Sequence, residues 1–246
     1  RVAGNIASAE LQYGGTPESV EHWTNMFAGL MENMEYMPNT PTLMNAGTSI
    51  QQLSACFVLP VEDTLEGIYE TMKHQALIHQ SGGGTGFAFS RLRPKGTMVK
   101  STKGVATGPV GFMSVYNAST EVIKQGGKRR GANMGILRVD HPDIHEFIHC
   151  KDDITKINNF NISVALTEKF MEAVEKGEEF DLIDPHSKLP IRSENAKLLF
   201  DELVTSAWKS GDQVSSFYSH HQFFSDRDRR PDGNFYFFSS FVTNRK

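Results

Sequence analysis

Glycine-rich turns are the residues here most suited to handling a ligand. Three lie where regular elements end: Gly82-Gly83-Gly84-Thr85-Gly86, Gly104 to Gly111, and Gln125-Gly126-Gly127. Glycine accepts positive φ and lets backbone approach a ligand closely. One such turn reads as a helix cap. Three, the last followed by Lys128-Arg129-Arg130, favour a phosphate-bearing ligand. None is a P-loop, since no Gly-Lys-Ser/Thr follows four spacer residues. None is a dinucleotide fingerprint, because the first turn follows a helix and precedes a strand, the reverse of that motif.

Other chemistry is sparser. Cys56 sits in an apolar run and reads, on composition alone, as a buried core cysteine. Asp63 reads as a helix N-cap, although helix N-termini also receive nucleotide phosphates. Arg93 and Lys100 could pair with phosphates or simply be solvated. His141, His145 and His149 recur every four residues up to Cys150 and could share a helix face. That pattern suits a metal site or a solvated face, and the solvated face is preferred.

These residues need elements to place them. Residues 17–37 carry Val20, Trp23, Phe27, Leu30, Met31 and Met34 at helical spacing, and Met37-Pro38-Asn39-Thr40-Pro41 interrupts them. Ser54 to Pro60 reads as a buried strand. Asp63-Thr64-Leu65-Glu66 resembles a capping box opening a helix with Leu65, Ile68, Tyr69, Met72 and Ala76 on one face. Strands are expected at Gly86–Leu92, Met134–Val139 and Asn161–Leu166. Helices are expected at Val110–Lys124, from Asp140-His141-Pro142, from Thr167 to Gly177, and over Ser193–Ser210. Strands alternating with helices predict a parallel α/β architecture.

Composition limits the partners. The chain has 246 residues, 25 Lys+Arg against 29 Asp+Glu, and two cysteines. A net charge of −4 argues against a nucleic-acid binder, and two cysteines against a disulfide scaffold. No apolar run approaches the roughly 20 residues of a membrane span. With no apolar leader at Arg1-Val2-Ala3-Gly4, a soluble cytoplasmic protein is expected, its chain beginning inside a longer one.

Taken together, Pro38-Asn39-Thr40-Pro41-Thr42-Leu43-Met44-Asn45-Ala46-Gly47, Leu53-Ser54-Ala55-Cys56-Phe57-Val58, the 82–86 turn and Gln125 to Asn133 resemble the large, catalytic chain of ribonucleotide reductases, closest to the adenosylcobalamin-dependent class. The likeness runs from about Pro38 to Lys176, more weakly to Asp212. It implies the end of an N-terminal helical region (1–37) and the first, five-stranded parallel half of a ten-stranded α/β barrel (38–212). It implies that Cys56 is half of a redox dithiol, and that Thr42, Ala55 and Gly84 contact the ribonucleoside di- or triphosphate substrate. Asp63, Thr64, Leu65, Arg93 and Lys100 would bind a deoxynucleotide or ATP effector near a homodimer interface. Gln125, Lys128, Arg129, Arg130 and Asn133 would form the loop that carries effector identity to substrate choice. Adenosylcobalamin and a thioredoxin-like reductant follow from the same likeness. No metal site is implied, and Cys150 matches no functional position.

The radical cysteine, its accompanying asparagine and glutamate, and the second disulfide cysteine are expected beyond this chain. The isolated polypeptide is therefore expected to be inactive. Residues 213–246 hold seven of the 17 phenylalanines without helical or alternating period, and read as a non-family tail from a disrupted reading frame. The alternatives are the iron-dependent, two-subunit class of the same enzyme and a noncatalytic deoxynucleotide-binding module.

Overall fold

A computed structural model describes residues 1–98, 103–123, 131–153, 155–211 and, for its backbone, 214–218. Three helices lead: α1 (Val2–Ala7), α2 (Pro17–Glu32) and α3 (Thr40–Asn45), with a 3-10 turn at Ser8–Tyr13 after α1. Thr16 caps α2 by accepting the Ser19 N–H, and Asn39 caps α3 by accepting that of Thr42. Both helices have proline in the first turn, where its missing N–H costs nothing.

Strands and helices then alternate: β1 (Cys56–Pro60), α4 (Leu65–Gln80), β2 (Gly84–Ala88), α5 (Gly108–Val122), β3 (Asn133–Arg138), α6 (Ile144–Ile148) and β4 (Phe160–Thr167). Helix α7 (Glu168–Lys176), a hairpin of β5 (Glu179–Ile183) and β6 (Pro190–Asn195), and α8 (Ala196–Ser210) precede β7 (Val214–Tyr218). One sheet has the order β1-β2-β3-β4-β7, every pair parallel. The strands lie side by side in chain order, apart from the β5–β6 hairpin, giving the parallel α/β sheet expected from the alternation and fitting the half-barrel that the family resemblance implies. Strand β7 lies within the segment that the sequence set apart as a tail, and its five residues pair with Ser163–Thr167.

An aromatic cluster fills the space between sheet and helices. Phe87, Phe89, Tyr116 and Phe160 are all buried, and the rings of Phe87 and Tyr116 meet edge to face at 4.9 Å. Ile144, Phe147 and Ile148 bring α6 onto the same core, and Phe170 of α7 packs on Phe180 of β5 at 5.0 Å. Burial of such side chains contributes about 1.5–3 kcal/mol each.

Several boundaries differ from the sequence reading, among them that of β2, expected at Gly86–Leu92 and found at Gly84–Ala88. Three others differ for local reasons. The cap of α4 is Thr64, which accepts the Gly67 N–H, because the Asp63 carboxylate is engaged by Arg93. Helix α6 starts at Ile144 rather than at the Asp140-His141-Pro142 turn, where the buried His141 ring accepts the Asp143 N–H. Helix α8 starts at Ala196, capped by Asn195, because Ser193 to Asn195 pair with β5. Thr167 and Gly177 bound α7 as read, Gly177 at φ 70°.

Candidate functional site

The candidate residues fall at the two ends of the parallel strands. Cys56, Gly84 and Asn133 are the first residues of β1, β2 and β3. Asp63 and Arg93 follow the last residues of β1 and β2. A five-residue strand separates the ends by about 13 Å.

At the amino end, Cys56 lies in register with Gly84. The Gly84 N–H donates to the Ala55 carbonyl at 2.7 Å, and that of Thr85 to the Ala132 carbonyl at 3.0 Å. Cys56 is exposed, which corrects its reading as a core cysteine. Its strand is the sheet's edge, so the apolar run is covered on fewer sides than a central strand. Gly83 is required by space: a Cβ there would lie 2.7 Å from Ile78 and 2.8 Å from Phe57. Thr42 is buried on α3, its hydroxyl within 2.7 Å of the Leu53 carbonyl and 3.0 Å of Asn39 Oδ1. Its one hydroxyl proton is thus claimed within the fold, and the residue ties α3 to the chain entering β1.

Arg1 completes this corner. Its guanidinium donates to the carbonyls of Leu43 at 2.7 Å and Ala46 at 2.6 Å, satisfying the C-terminal end of α3. Nothing local in the sequence signals a contact across more than 40 positions.

Behind the amino ends lies a buried, uncharged hydrogen-bond network that the sequence reading also missed. Asn133 Oδ1 accepts from Thr85 Oγ1 at 2.8 Å and from Gln75 Nε2 at 3.0 Å. Asn133 Nδ2 donates to Thr120 Oγ1 at 2.8 Å, and Gln75 Nε2 donates to the same oxygen at 2.9 Å. The His79 ring bonds Thr85 Oγ1 at 3.0 Å, and burial pushes its pKa down, keeping the ring neutral. Asn133, assigned to the loop beginning at Gln125, is therefore a buried residue of β3, and Thr120 belongs to α5. Gln125, Lys128, Arg129 and Arg130 lie outside the described residues, as does Lys100.

At the carboxyl end, Arg93 Nε donates to Asp63 Oδ2 at 2.7 Å and the Arg93 N–H to Oδ1 at 3.3 Å. His186, from the turn between β5 and β6, also donates to Oδ2. Thr64 is spent as the α4 cap, whereas Leu65 is exposed beside Tyr69.

The histidine series does not form one face. His141 is buried, within 2.9 Å of the Leu92 carbonyl. His145 lies between Glu202 and Glu194, and His149 between Glu202 and Asp152. Among the described residues no cluster of three or more such side chains is placed to hold a metal, and no helix is long and apolar enough to cross a membrane. Burial pushes the Cys150 thiol up to about 12, which makes it inert.

Two clefts stand out among the described residues. One of ≈ 230 Å³ lies between α6 and α8, beside His149 and Glu202. The other, of ≈ 530 Å³, lies between α2 and α3 and is lined mainly by Phe27, Leu30, Met31 and Tyr36. The first holds one imidazole, His149, which is bonded to Glu202 and Asp152, and the second is lined by no histidine, so neither of these two clefts presents a free imidazole ligand to a corrin ring.

Comparison with known proteins bears on all of this. Residues 54–221 match the family model of the ribonucleotide reductase barrel domain, and residues 1–51 that of its all-alpha domain. A vitamin B12-dependent ribonucleoside-diphosphate reductase of Thermoplasma acidophilum is 54% identical over 203 residues, covering 82% of this chain and 26% of that protein. One from Mycobacterium tuberculosis is 43% identical, covering 86% of this chain and 30% of its own. The ribonucleoside-diphosphate reductase large subunit of Dictyostelium discoideum is 35% identical, covering 69% and 20%. The chain thus spans under a third of the length of these relatives. With the half-barrel, the exposed cysteine opposite the glycine turn and the matches on both sides of residue 52, this chain belongs to the ribonucleotide reductase large-chain family.

Proposed function

We propose that the chain carries the first part of the catalytic barrel of an enzyme that reduces ribonucleotides, in the form of diphosphates, to 2′-deoxyribonucleotides. One observation carries this reading: the exposed Cys56 thiol stands in register with Gly84 at the amino end of the parallel strands. In the reaction the ribose C2′–O bond breaks, the oxygen takes a proton and leaves as water, and a C2′–H bond forms in its place. Cys56 and a second cysteine lose two electrons and two protons and join as a disulfide, which thiol exchange with a thioredoxin-like protein reverses. The burial of Cys150 and its raised pKa argue against its being that second cysteine.

In this reading Ala55 and Gly84 present backbone to the substrate and Thr42 anchors the helix beside it. Asp63, Thr64, Leu65, Arg93 and Lys100 receive a deoxynucleotide or ATP effector. Gln125, Lys128, Arg129 and Arg130 report its identity, with Asn133 fixing the end of their loop. The exposed Leu65, Tyr69 and Leu77 on α4 support pairing with a second copy. The names of the B12-dependent relatives support adenosylcobalamin, which when bound in the intact enzyme supplies a radical.

Thiol labelling of the 246-residue chain tests the reading. Cys56 should alkylate at least about tenfold faster than Cys150 in the folded protein. A ribonucleoside diphosphate at millimolar concentration should slow Cys56 and leave Cys150 unchanged. Labelling of Cys56 at one rate with and without nucleotide would defeat the substrate assignment.

A further inference from the structure

The Asp63 carboxylate is held by more than the residues assigned to its site. Its side chain is only 10% exposed, and three donors reach it. Two come from Arg93; the third is His186 Nε2, from 123 residues further along the chain. A nitrogen facing a carboxylate oxygen at hydrogen-bond distance must carry the proton, so this ring is a donor at Nε2.

His186 does not arrive there as a loose surface side chain. The Asp184 carboxylate accepts the N–H groups of His186 at 2.8 Å and Ser187 at 2.7 Å, and these bonds hold its carboxyl below the usual range. Across the turn, the Asp184 N–H donates to the Leu189 carbonyl at 3.0 Å, and the Lys188 N–H donates back to Asp184. At the turn end of the hairpin the Ile183 N–H donates to the Asp140 carbonyl at 2.7 Å, fixing β5 to the residues just after β3. The turn is thus folded around Asp184 and anchored to the carboxyl end of the sheet. His186 is the side chain it presents to Asp63.

The division of labour at the carboxylate is uneven. Oδ2 takes both side-chain donors, from Arg93 at 2.7 Å and from His186. Oδ1 takes one backbone N–H at 3.3 Å. Each carboxylate oxygen offers about two lone-pair sites, so Oδ1 retains room for another donor. A sugar hydroxyl is a donor of that kind, whereas a phosphate is not.

The geometry points to His186 as a positioning residue of the effector site. With Arg93 it fixes Oδ2 so that Oδ1 accepts a hydroxyl of the bound deoxynucleotide's sugar, and the β5–β6 turn becomes one wall of that site. This rests on the proposed reading of Asp63 as an effector residue and extends it to an element the reading does not include.

Isothermal titration of the 246-residue chain with each of the four 2′-deoxynucleoside triphosphates tests both levels. The parent chain should bind at least one, and Asp63→Asn should weaken it. His186→Ala should weaken that binding about fivefold, the loss of one charge-assisted bond discounted for exposure. His186→Gln should restore most of it, because the glutamine amide can donate from nearly the position of Nε2. The half-exposed His186→Ala chain should melt at the parent temperature. Parent-like affinity in His186→Ala, alongside loss in Asp63→Asn, overturns the role of His186 and leaves the effector reading standing. Weakened binding that glutamine fails to restore also overturns it, since the donor would not be what matters. No binding by the parent, or none lost in Asp63→Asn, overturns the effector reading and this inference with it.

Discussion

The amino and carboxyl ends of the same parallel strands are built on different physics. The amino end rests on Gln75, His79, Thr85, Thr120 and Asn133, uncharged and buried, each held by neighbours from α4, α5, β2 or β3. The carboxyl end rests on an ion pair between Asp63 and Arg93, with His186 as a third and half-exposed partner, brought together across long stretches of chain. A buried neutral network resists displacement, because any broken bond leaves an unpaired group in a low-dielectric interior. A charged cluster in contact with water can exchange one partner for another at small cost. On the proposed reading, a redox thiol opposite Gly84 would need the first property, and a site that senses which nucleotide is bound would need the second.

The sharpest way to break this contrast is to remove one member from each end. Asn133→Ala strips the partners from Thr85, Gln75 and Thr120 at once, and should cost about 3 kcal/mol or more. Urea unfolding should show a lower midpoint with an unchanged slope. Tyr116→Phe deletes a buried hydroxyl that donates to the Ile68 carbonyl at 2.7 Å, and should cost about 1–2 kcal/mol. Arg93→Ala leaves the largely buried Asp63 carboxylate with His186 still bonded to it, and should cost less than Asn133→Ala, about 1–2 kcal/mol. If Arg93→Ala proved as damaging as Asn133→Ala, the two ends would not differ in the way described.

The same contrast explains what could be read from the sequence. Helices α2, α4 and α7 announce themselves through apolar spacing and caps, which are local signals, and the alternation of elements then requires a parallel sheet. The hairpin of β5 and β6 was missed although Phe180 and Leu182 alternate with acidic residues, because Pro190–Asn195 is nearly all exposed and shows no period. Cys56 was misplaced for a topological reason: an apolar run gives the strand but not whether it is central or at the edge. Asp63 looked like a cap because its partners, Arg93 and His186, lie 30 and 123 positions away. The chemistry of the carboxyl end is non-local, and no spacing rule reaches it. The family likeness supplied the candidate roles there; the geometry supplied their partners.

The smallest expected effect concerns a third polar cluster, between α6, β6 and α8. His145 Nδ1 lies 2.9 Å from Glu202, and Nε2 bonds Glu194, which also pairs with Arg192 at 2.6 Å. His149 shares Glu202 and pairs with Asp152. Burial pushes the His145 pKa down, but the bonds to Glu202 and Glu194 outweigh it and leave the pKa raised above 6.5. The folded state therefore binds this proton more tightly than the unfolded chain does. The stability it contributes is complete below the unfolded value and is lost as pH rises through the raised folded one. His141 and His79 shift the opposite way, so their contributions are present at high pH and lost as pH falls. Only a difference between variants isolates His145. Unfolding free energies at about pH 6 and about pH 8.5 bracket its titration. The parent should lose more stability over that interval than His145→Gln does, by less than about 1 kcal/mol given the exposure of the ring. An equal loss in both proteins would mean that the cluster adds nothing to folding, and that the charged groups joining the hairpin to α8 are as replaceable as those around Asp63.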